Sequence, residues 1–276
     1  MRVSLALILL FGLSLLLGAC GEAATLYPPT PTIPATTPTF TIQVPVPPKP
    51  KPAPGWEFRW LQDTSCTLPC YEGITPGKTS AEEAMTLLQQ NPLVSAVSIG
   101  YFEGDAYGFI AWDWVDAKKR ADGSIGTGGY IQYDATKPTR TIYSISPALP
   151  QVPLKEVIKR YGYPTHVIAP FSWEDAGRSL YYYLYLIYQP QGLILYNKYY
   201  TKEPPINEDI SFGKLSIVNP DYISSQQKLY GFPADPSFIV PWEGFKDFRY
   251  YCRMTDKGQI VKCDSVLDAY PNGKRK

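Results

Sequence analysis

Histidine is almost missing from this chain: His166 is the single one in 276 residues. No G-x-S-x-G stands anywhere in it, so no nucleophile elbow is legible, and a lone imidazole leaves triad hydrolysis without sequence support. Net charge is lacking too. There are 26 Lys and Arg against 25 Asp and Glu, and residues 1–19 hold one Arg and no acid, which leaves 25 of each beyond them. Nucleic-acid affinity rests on many Lys and Arg contacts to phosphate, so nucleic acid is not an expected partner. Cysteine is sparse, with five residues. From these absences no catalytic residue, cofactor or metal site is assigned, and a non-catalytic protein is expected.

What is present begins at the N-terminus. Met1-Arg2 is a short positive segment, Val3 to Leu17 is almost wholly Leu, Ile, Val, Phe and Ala, and small residues follow. That pattern reads as a signal peptide over residues 1–19. Leu17-Gly18-Ala19-Cys20 resembles a bacterial lipobox. The resemblance implies cleavage before Cys20 and a diacylglycerol on its thiol, hence a membrane anchor and an extracytoplasmic address. Residues 28–54 then carry eleven Pro and six Thr. Such a tract favours polyproline II at about 3.1 Å per residue, a semi-rigid spacer reaching roughly 80 Å. Residues 20–54 are therefore read as a lipidated Cys and its linker.

Four cysteines remain, Cys66, Cys70, Cys252 and Cys263. An even number outside the cytosol predicts disulfides. Three pairings exist, and proximity in sequence favours Cys66 with Cys70 and Cys252 with Cys263. A two-residue Lys257-Gly258 loop would set Cys252 opposite Cys263, while a longer loop would shift the register by one.

The folded region shows a helix followed by strands, twice. Thr79 or Ser80 can cap a helix with Glu82 or Glu83 completing a capping box, and Ala81, Ala84, Met85 and Leu88 fall on one face. That helix stops before Asn91-Pro92. The second has Pro153 in its first turn and Leu154, Val157, Ile158 and Tyr161 at the same spacing, and it ends at Gly162-Tyr163-Pro164. A third is expected from Asn219-Pro220, ahead of Tyr230-Gly231-Phe232-Pro233, which echoes Tyr161 to Pro164. Period-two runs predict strands near residues 94–103, 107–115, 128–134 and 139–145, then Leu180 to Tyr188 and Leu193 to Tyr200 around Gln189-Pro190-Gln191-Gly192. The 22 tyrosines fit a strand-rich fold. The fold class expected is α+β, in tandem units of one helix and an antiparallel meander, with the helices on one face of the sheet. The boundaries are 55–150, 151–219, and a shortened third unit, 220–276, with a C-terminal hairpin.

Gly77-Lys78-Thr79 leading into a helix with a proline-terminated end, and Leu154 to Pro164 more closely, resemble the tandem unit of BamE/SmpA-type small lipoproteins and of β-lactamase inhibitory protein. The first unit departs from the pattern, having its apolar register shifted by one and Gln90-Asn91 where Gly-x is usual. The resemblance implies the helix-and-sheet fold and a protein-binding role. It places no partner-contacting residue on this chain.

Four local patterns invite sharper chemistry. Gly73 to Thr79 is one residue short of a phosphate loop, with Glu72 at the missing Gly position, so it reads as a turn and cap and no nucleotide is expected. Gly123 to Gly129 precedes a strand and reads as a hairpin loop. Cys66 and Cys70 with His166 suit copper chemically, yet Pro69, Gly73, Pro76 and Gly77 break the helix that thioredoxin-type copper carriers begin at their cysteines. Asp113 with Asp116, and Glu174 with Asp175, are the acid pairs an enzyme on wall glycan would require. The expected role is instead a binding or envelope-structural one, with an envelope protein or wall polymer as partner. Alternation along Leu180 to Tyr188 puts Tyr181, Tyr183 and Tyr185 on one face, a candidate exposed binding row. Trp112, Trp114, Trp173 and Trp242 are expected in the core or at its rim.

Overall fold

The computed structural model describes residues 53–63, 66–101, 106–115, 127–174, 179–200, 202–224, 236–256 and 259–269. By its contacts the chain divides into Met1–Val46, outside the described residues, and Pro47–Lys276. The signal, the Cys20 anchor and nearly all of the linker fall outside the description, as does Tyr230 to Pro233.

A 3-10 helix, Trp56–Leu61, opens the described chain, and α1 follows at Ala81–Gln90. Ser80 is the cap that forms, its Oγ accepting the Glu83 N–H at 3.1 Å. Ala81, Ala84 and Leu88 make the buried stripe. The helix stops at Asn91, because the residue before Pro92 is pushed out of the helical region. Four strands come next: β1 Val94–Tyr101, β2 Tyr107–Trp114, β3 Gly129–Asp134 and β4 Ile142–Pro147. Each pairs antiparallel with the next. The fourth begins later than the expected 139, since Arg140 takes a left-handed φ of 43° and closes a turn onto Lys137.

After β5 (Val152–Pro153), α2 runs Leu154–Tyr161 and ends on Gly162 at φ 78°. The strands β6 His166–Ile168, β7 Phe171–Glu174, β8 Ser179–Tyr188 and β9 Leu193–Tyr200 follow. Between the last two, Gly192 has φ 60°, and a Cβ there would lie 2.0 Å from the Val218 carbonyl oxygen. Only glycine fits that turn. The remainder comprises β10 Ser211–Phe212, β11 Lys214–Val218, α3 Pro220–Ser224, β12 Val240–Pro241, α4 Phe248–Tyr251, β13 Arg253–Asp256, β14 Gln259–Lys262 and α5 Asp264–Ala269.

The fold is α+β with a mostly antiparallel sheet. Its strand order is β1-β2-β3-β4-β11-β9-β8-β6-β12, with β7 beside β8. Because β4 pairs β11 through Ile145 and Ile217, and β6 pairs β12 through Val167 and Val240, one sheet runs across the expected boundaries at 150 and 219. Side chains of one face, among them Ile110, Ile131, Ile145, Ile217, Leu195 and Leu184, join Leu88 of α1 and Val157 of α2 in the main core. The opposite face holds a smaller cluster of Ile168, Tyr185, Ile187, Ile194, Val218 and Ile223, the last from α3, so the helices are not confined to one face of the sheet as expected.

Both expected disulfides are formed, Cys66–Cys70 and Cys252–Cys263. The second follows from register, since Arg253 faces Lys262 and Asp256 faces Gln259. Two residues remain for the loop, and Cys252 falls opposite Cys263. The stretch Gly73 to Thr79 is a turn as expected, with the Thr75 N–H on Thr79 Oγ1 at 2.9 Å and the Thr79 N–H on the Thr75 carbonyl.

Candidate functional site

The tyrosine row on β8 is not the exposed surface that alternation predicted. The alternation itself holds: Leu180, Tyr182, Leu184 and Leu186 lie in the main core and Tyr185 and Ile187 in the opposite cluster. That opposite face is covered, however. Tyr181 is only 7% exposed and Tyr185 only 9%, and Tyr183 is half-buried. Ile223 of α3 and Phe238 pack against the cluster, and Tyr185 stacks on Tyr196 at 5.5 Å. At the other end of the row Lys198 Nζ sits 4.1 Å from the centre of the Tyr181 ring and 5.7 Å from that of Tyr183. A sheet in water exposes the second face only when nothing later in the chain packs on it, and here the segment after β11 does.

Tyr200, the most exposed ring, lies at the end of that row against Tyr181, and Tyr107 and Tyr130 stand on the sheet; three other exposed aromatics gather elsewhere. Tyr163 is 56% exposed, Phe245 38% and Tyr250 36%. Tyr163 leaves α2 through Gly162, whose φ of 78° turns the chain out of the helix. Trp242 is brought beside it by the β6–β12 pairing, Pro241 opposite His166, and by its own N–H on the Thr165 carbonyl at 3.0 Å. The Trp242 ring is nearly parallel to two others, Tyr163 at 6.5 Å and 16° and Tyr251 at 5.8 Å and 6°. Phe245 meets both Trp242 and Tyr163 edge-on, at 5.4 and 6.0 Å. Such offset and edge-on contacts match the ring quadrupoles and hold the rings in place.

Hydrogen bonds fix the loop that carries them. Tyr251 Oη accepts the Glu243 N–H at 2.9 Å and donates to the Gly244 carbonyl at 2.7 Å. Tyr250 Oη donates to the Glu243 carboxylate, and that bond holds its phenol protonated above the usual tyrosine range. Beneath the loop, α4 is clamped by the buried Cys252–Cys263 bridge and by a β-bridge of Cys252 to Ala169. Arg249 Nε donates to both Glu203 oxygens, at 3.0 and 3.1 Å, and Nη1 donates to Asp268. These bonds raise the Arg249 pKa further. Between the loop and the 203–207 segment lies an open groove of about 740 Å³, with Pro204, Pro205, Asn207, Phe245, Tyr250 and Lys262 on its walls. It is part apolar and part polar, and its rings are supported from behind. A surface of this kind offers contact area at little ordering cost.

The other expected residues lie apart from this surface or carry no site. Trp112 and Trp114 are core, and Trp173 and Trp242 are half-buried, as rim residues are. His166 is on β6 with Nδ1 3.0 Å from Thr165 Oγ1, and burial lowers its pKa. Joined as a disulfide, Cys66 and Cys70 present no thiolate to a metal, and Cys66 Sγ accepts the Gly73 N–H at 3.3 Å. Asp113 accepts from the Thr127 N–H and hydroxyl at 2.8 and 2.7 Å, while Asp116, Asp175 and the Glu174 side chain lie outside the described residues. Most of the expected Gly123 to Gly129 loop lies outside them as well. Among the described residues no three His, Cys, Asp or Glu side chains gather as a metal site would require, and no helix is long and apolar enough to cross a membrane.

Sequence reasoning passed over Tyr163, Phe245 and Tyr250 because they stand in turns and a one-turn helix, outside any periodic run. The one available signal was the ring density of Trp242-Glu243-Gly244-Phe245 and Tyr250-Tyr251. No known protein-family model matches this chain, and no curated protein or solved structure matches it either.

Proposed function

We propose that this chain is a lipid-anchored, extracytoplasmic binding module that holds an envelope protein or wall polymer through its exposed aromatic surface. The observation that carries the reading is the braced set of rings, Tyr163, Trp242 and Phe245, beside the groove bordered by Tyr250. Rings that remain exposed while held by one another, on a loop fixed by hydrogen bonds and a disulfide, are the arrangement of an interaction anchor, because a contiguous exposed aromatic group is costly to leave in water. The lipobox at Cys20 and the Pro-Thr spacer support a site presented away from a membrane surface.

The fold order is consistent with a tandem repeat of the kind resembled in sequence. In this reading α1 with β1, β2, β3 and β4 is one unit, and α2 with β6, β8, β9 and β11 is the other. Their last strands meet at β4–β11, and the segment from α3 onward is an addition that carries most of the aromatic surface.

The test is photo-cross-linking from intact cells with a reactive group at Tyr163 or at Phe245, and a control at Tyr107 on the sheet's other part. Partner capture at the first two positions and not at the third supports the reading. Equal capture at all three, or none, sinks it.

A further inference from the structure

The two ends of the sheet are finished differently. At one end β12 has two residues, Val240–Pro241, and proline cannot donate to a further strand. At the other end β1 runs for eight residues, VSAVSIGY, with no proline and no charged side chain. It pairs with β2 along one edge, continuously from Ala96 to Tyr101, and among the described residues no strand occupies its second edge. Long, uncharged, flat edges are templates for strand addition, and proteins that do not use them blunt them with charge, proline or shortness. The β12 end is blunted; at β1 the one irregularity is a register shift between Val94 and Ala96, and the pairing beyond it is regular to Tyr101.

The side chains on β1 indicate what fits. Ala96, Ser98 and Gly100 project to one face, and over Gly100 the Phe109 ring already fills the space a Cβ would need, at 2.6 Å. No pockets of the kind that select alternate side chains of a foreign peptide are formed by three such small groups. On the core face Val97 is half-buried, and Ile99, which faces the fully buried Ile110, remains 45% exposed at the end of the sheet. An apolar match on that face alone would set the register.

We propose that β1 pairs with β1 of a second copy of this chain, antiparallel about a two-fold axis at Ser98. That register sets Ile99 against Val97 of the second copy on the core face, and Ala96 against Gly100 of the second copy on the other. The apolar edge is covered twice by one symmetric contact. Because a two-fold contact uses up the β1 edge of both molecules, this pairing closes at two and forms a dimer with one continuous sheet, not a fibre. The Tyr163–Trp242–Phe245 surface, at the far end of each sheet, stays free.

The full chain, solubilised in detergent, is examined by sedimentation, alone and as Ile99→Lys. The wild type sediments as a dimer, and the substitution weakens dimerisation by about tenfold or more. A second variant, Ser98→Cys, keeps the strand intact and under mild oxidation yields a covalent dimer joined through position 98, identified by peptide mass. A wild-type monomer over the accessible concentration range overturns the proposal. So does a dimer indifferent to Ile99→Lys, or failure of position 98 to join its counterpart while a chain of another kind is captured there.

Discussion

Cys252 and Cys263 face each other across the open end of the β13–β14 hairpin, Cα atoms 5.6 Å apart and both fully buried. The bridge closes a loop with a sequence separation of 11 and holds the short α4, whose Arg249, Tyr250 and Tyr251 shape the aromatic surface. Replacing both cysteines by Ala is expected to cost about 2–3 kcal/mol by the chain-entropy account. The check is a denaturant titration of the double variant beside the wild type. Removing both Cys66 and Cys70, half-buried on the surface and closing a separation of 4, should cost less. A larger loss from the Cys66–Cys70 pair would reverse the ranking.

Much of this hairpin was legible in sequence. Two runs flanking Lys257-Gly258 allow one register if the loop has two residues, and that register alone aligns the cysteines. The start of α1 was legible to within one residue, because a cap such as Ser80 acts on the next turn of its own chain, whereas Pro153, expected in the first turn of α2, stands just before it, and the short α4 and α5 gave no periodic run to read. The fate of the Tyr181, Tyr183 and Tyr185 face was not. Alternation tells which rings share a face, but whether the face is wet depends on Ile223 and Phe238, tens of residues later. The aromatic surface was illegible for the same reason: Tyr163 and Trp242 meet only because β6 pairs with β12. Nor could local pattern give the joining of the two sheet halves at β4 and β11, a contact between residues about 70 apart in sequence.

Gly192 gives a test of the β8–β9 turn. Its φ of 60° and the 2.0 Å approach of a Cβ to the Val218 carbonyl oxygen leave alanine both a strained backbone and a clash with main chain. The Val218 N–H also bonds the Gly192 carbonyl at 2.8 Å, so the turn and the end of β11 move together. Gly192→Ala should destabilise by more than about 2 kcal/mol, read from thermal or denaturant melts. Gly162→Ala has open space around its Cβ, but φ 78° with ψ −163° is a backbone region almost reserved for glycine, and about 1–3 kcal/mol is expected there from backbone strain alone.

Tyr185 and Tyr196 predict how stability falls in alkali. Burial raises each pKa from 10.0 to about 12, with neighbouring phenols adding to the rise. A group whose folded pKa lies above its unfolded value holds its proton more tightly when folded. The stability it contributes is therefore complete below pH 10 and is lost as pH rises through 12. Unfolding free energy should decline across that window. In the variant with both Tyr185→Phe and Tyr196→Phe the decline should be shallower, although other buried tyrosines still contribute. Equal slopes for the two proteins between pH 10 and 12 would show that these two phenols do not govern the loss.

The two aromatic surfaces separate packing from recognition. Tyr181→Ser, Tyr183→Ser and Tyr185→Ser together remove rings that are buried or half-buried between sheet, α3 and Lys198, so lost packing dominates. Aromatic truncation at the buried Tyr181 and Tyr185 costs about 3 kcal/mol or more each, with a smaller loss at the half-buried Tyr183, and the triple variant should fail to fold cooperatively. Tyr163→Ser with Phe245→Ser removes rings that are more than a third exposed. Their ring contacts to Trp242 contribute about 0.5–1.5 kcal/mol each, so the double variant should melt only slightly earlier than the wild type. Partner capture should nevertheless fall by tenfold or more, since exposed anchors in a braced setting carry a large share of binding energy. Melting curves and capture measured on both variants distinguish the cases. Undiminished capture by a folded Tyr163, Phe245 double variant would remove this surface from the function, whereas a folded triple variant that no longer captures the partner would return the role to β8.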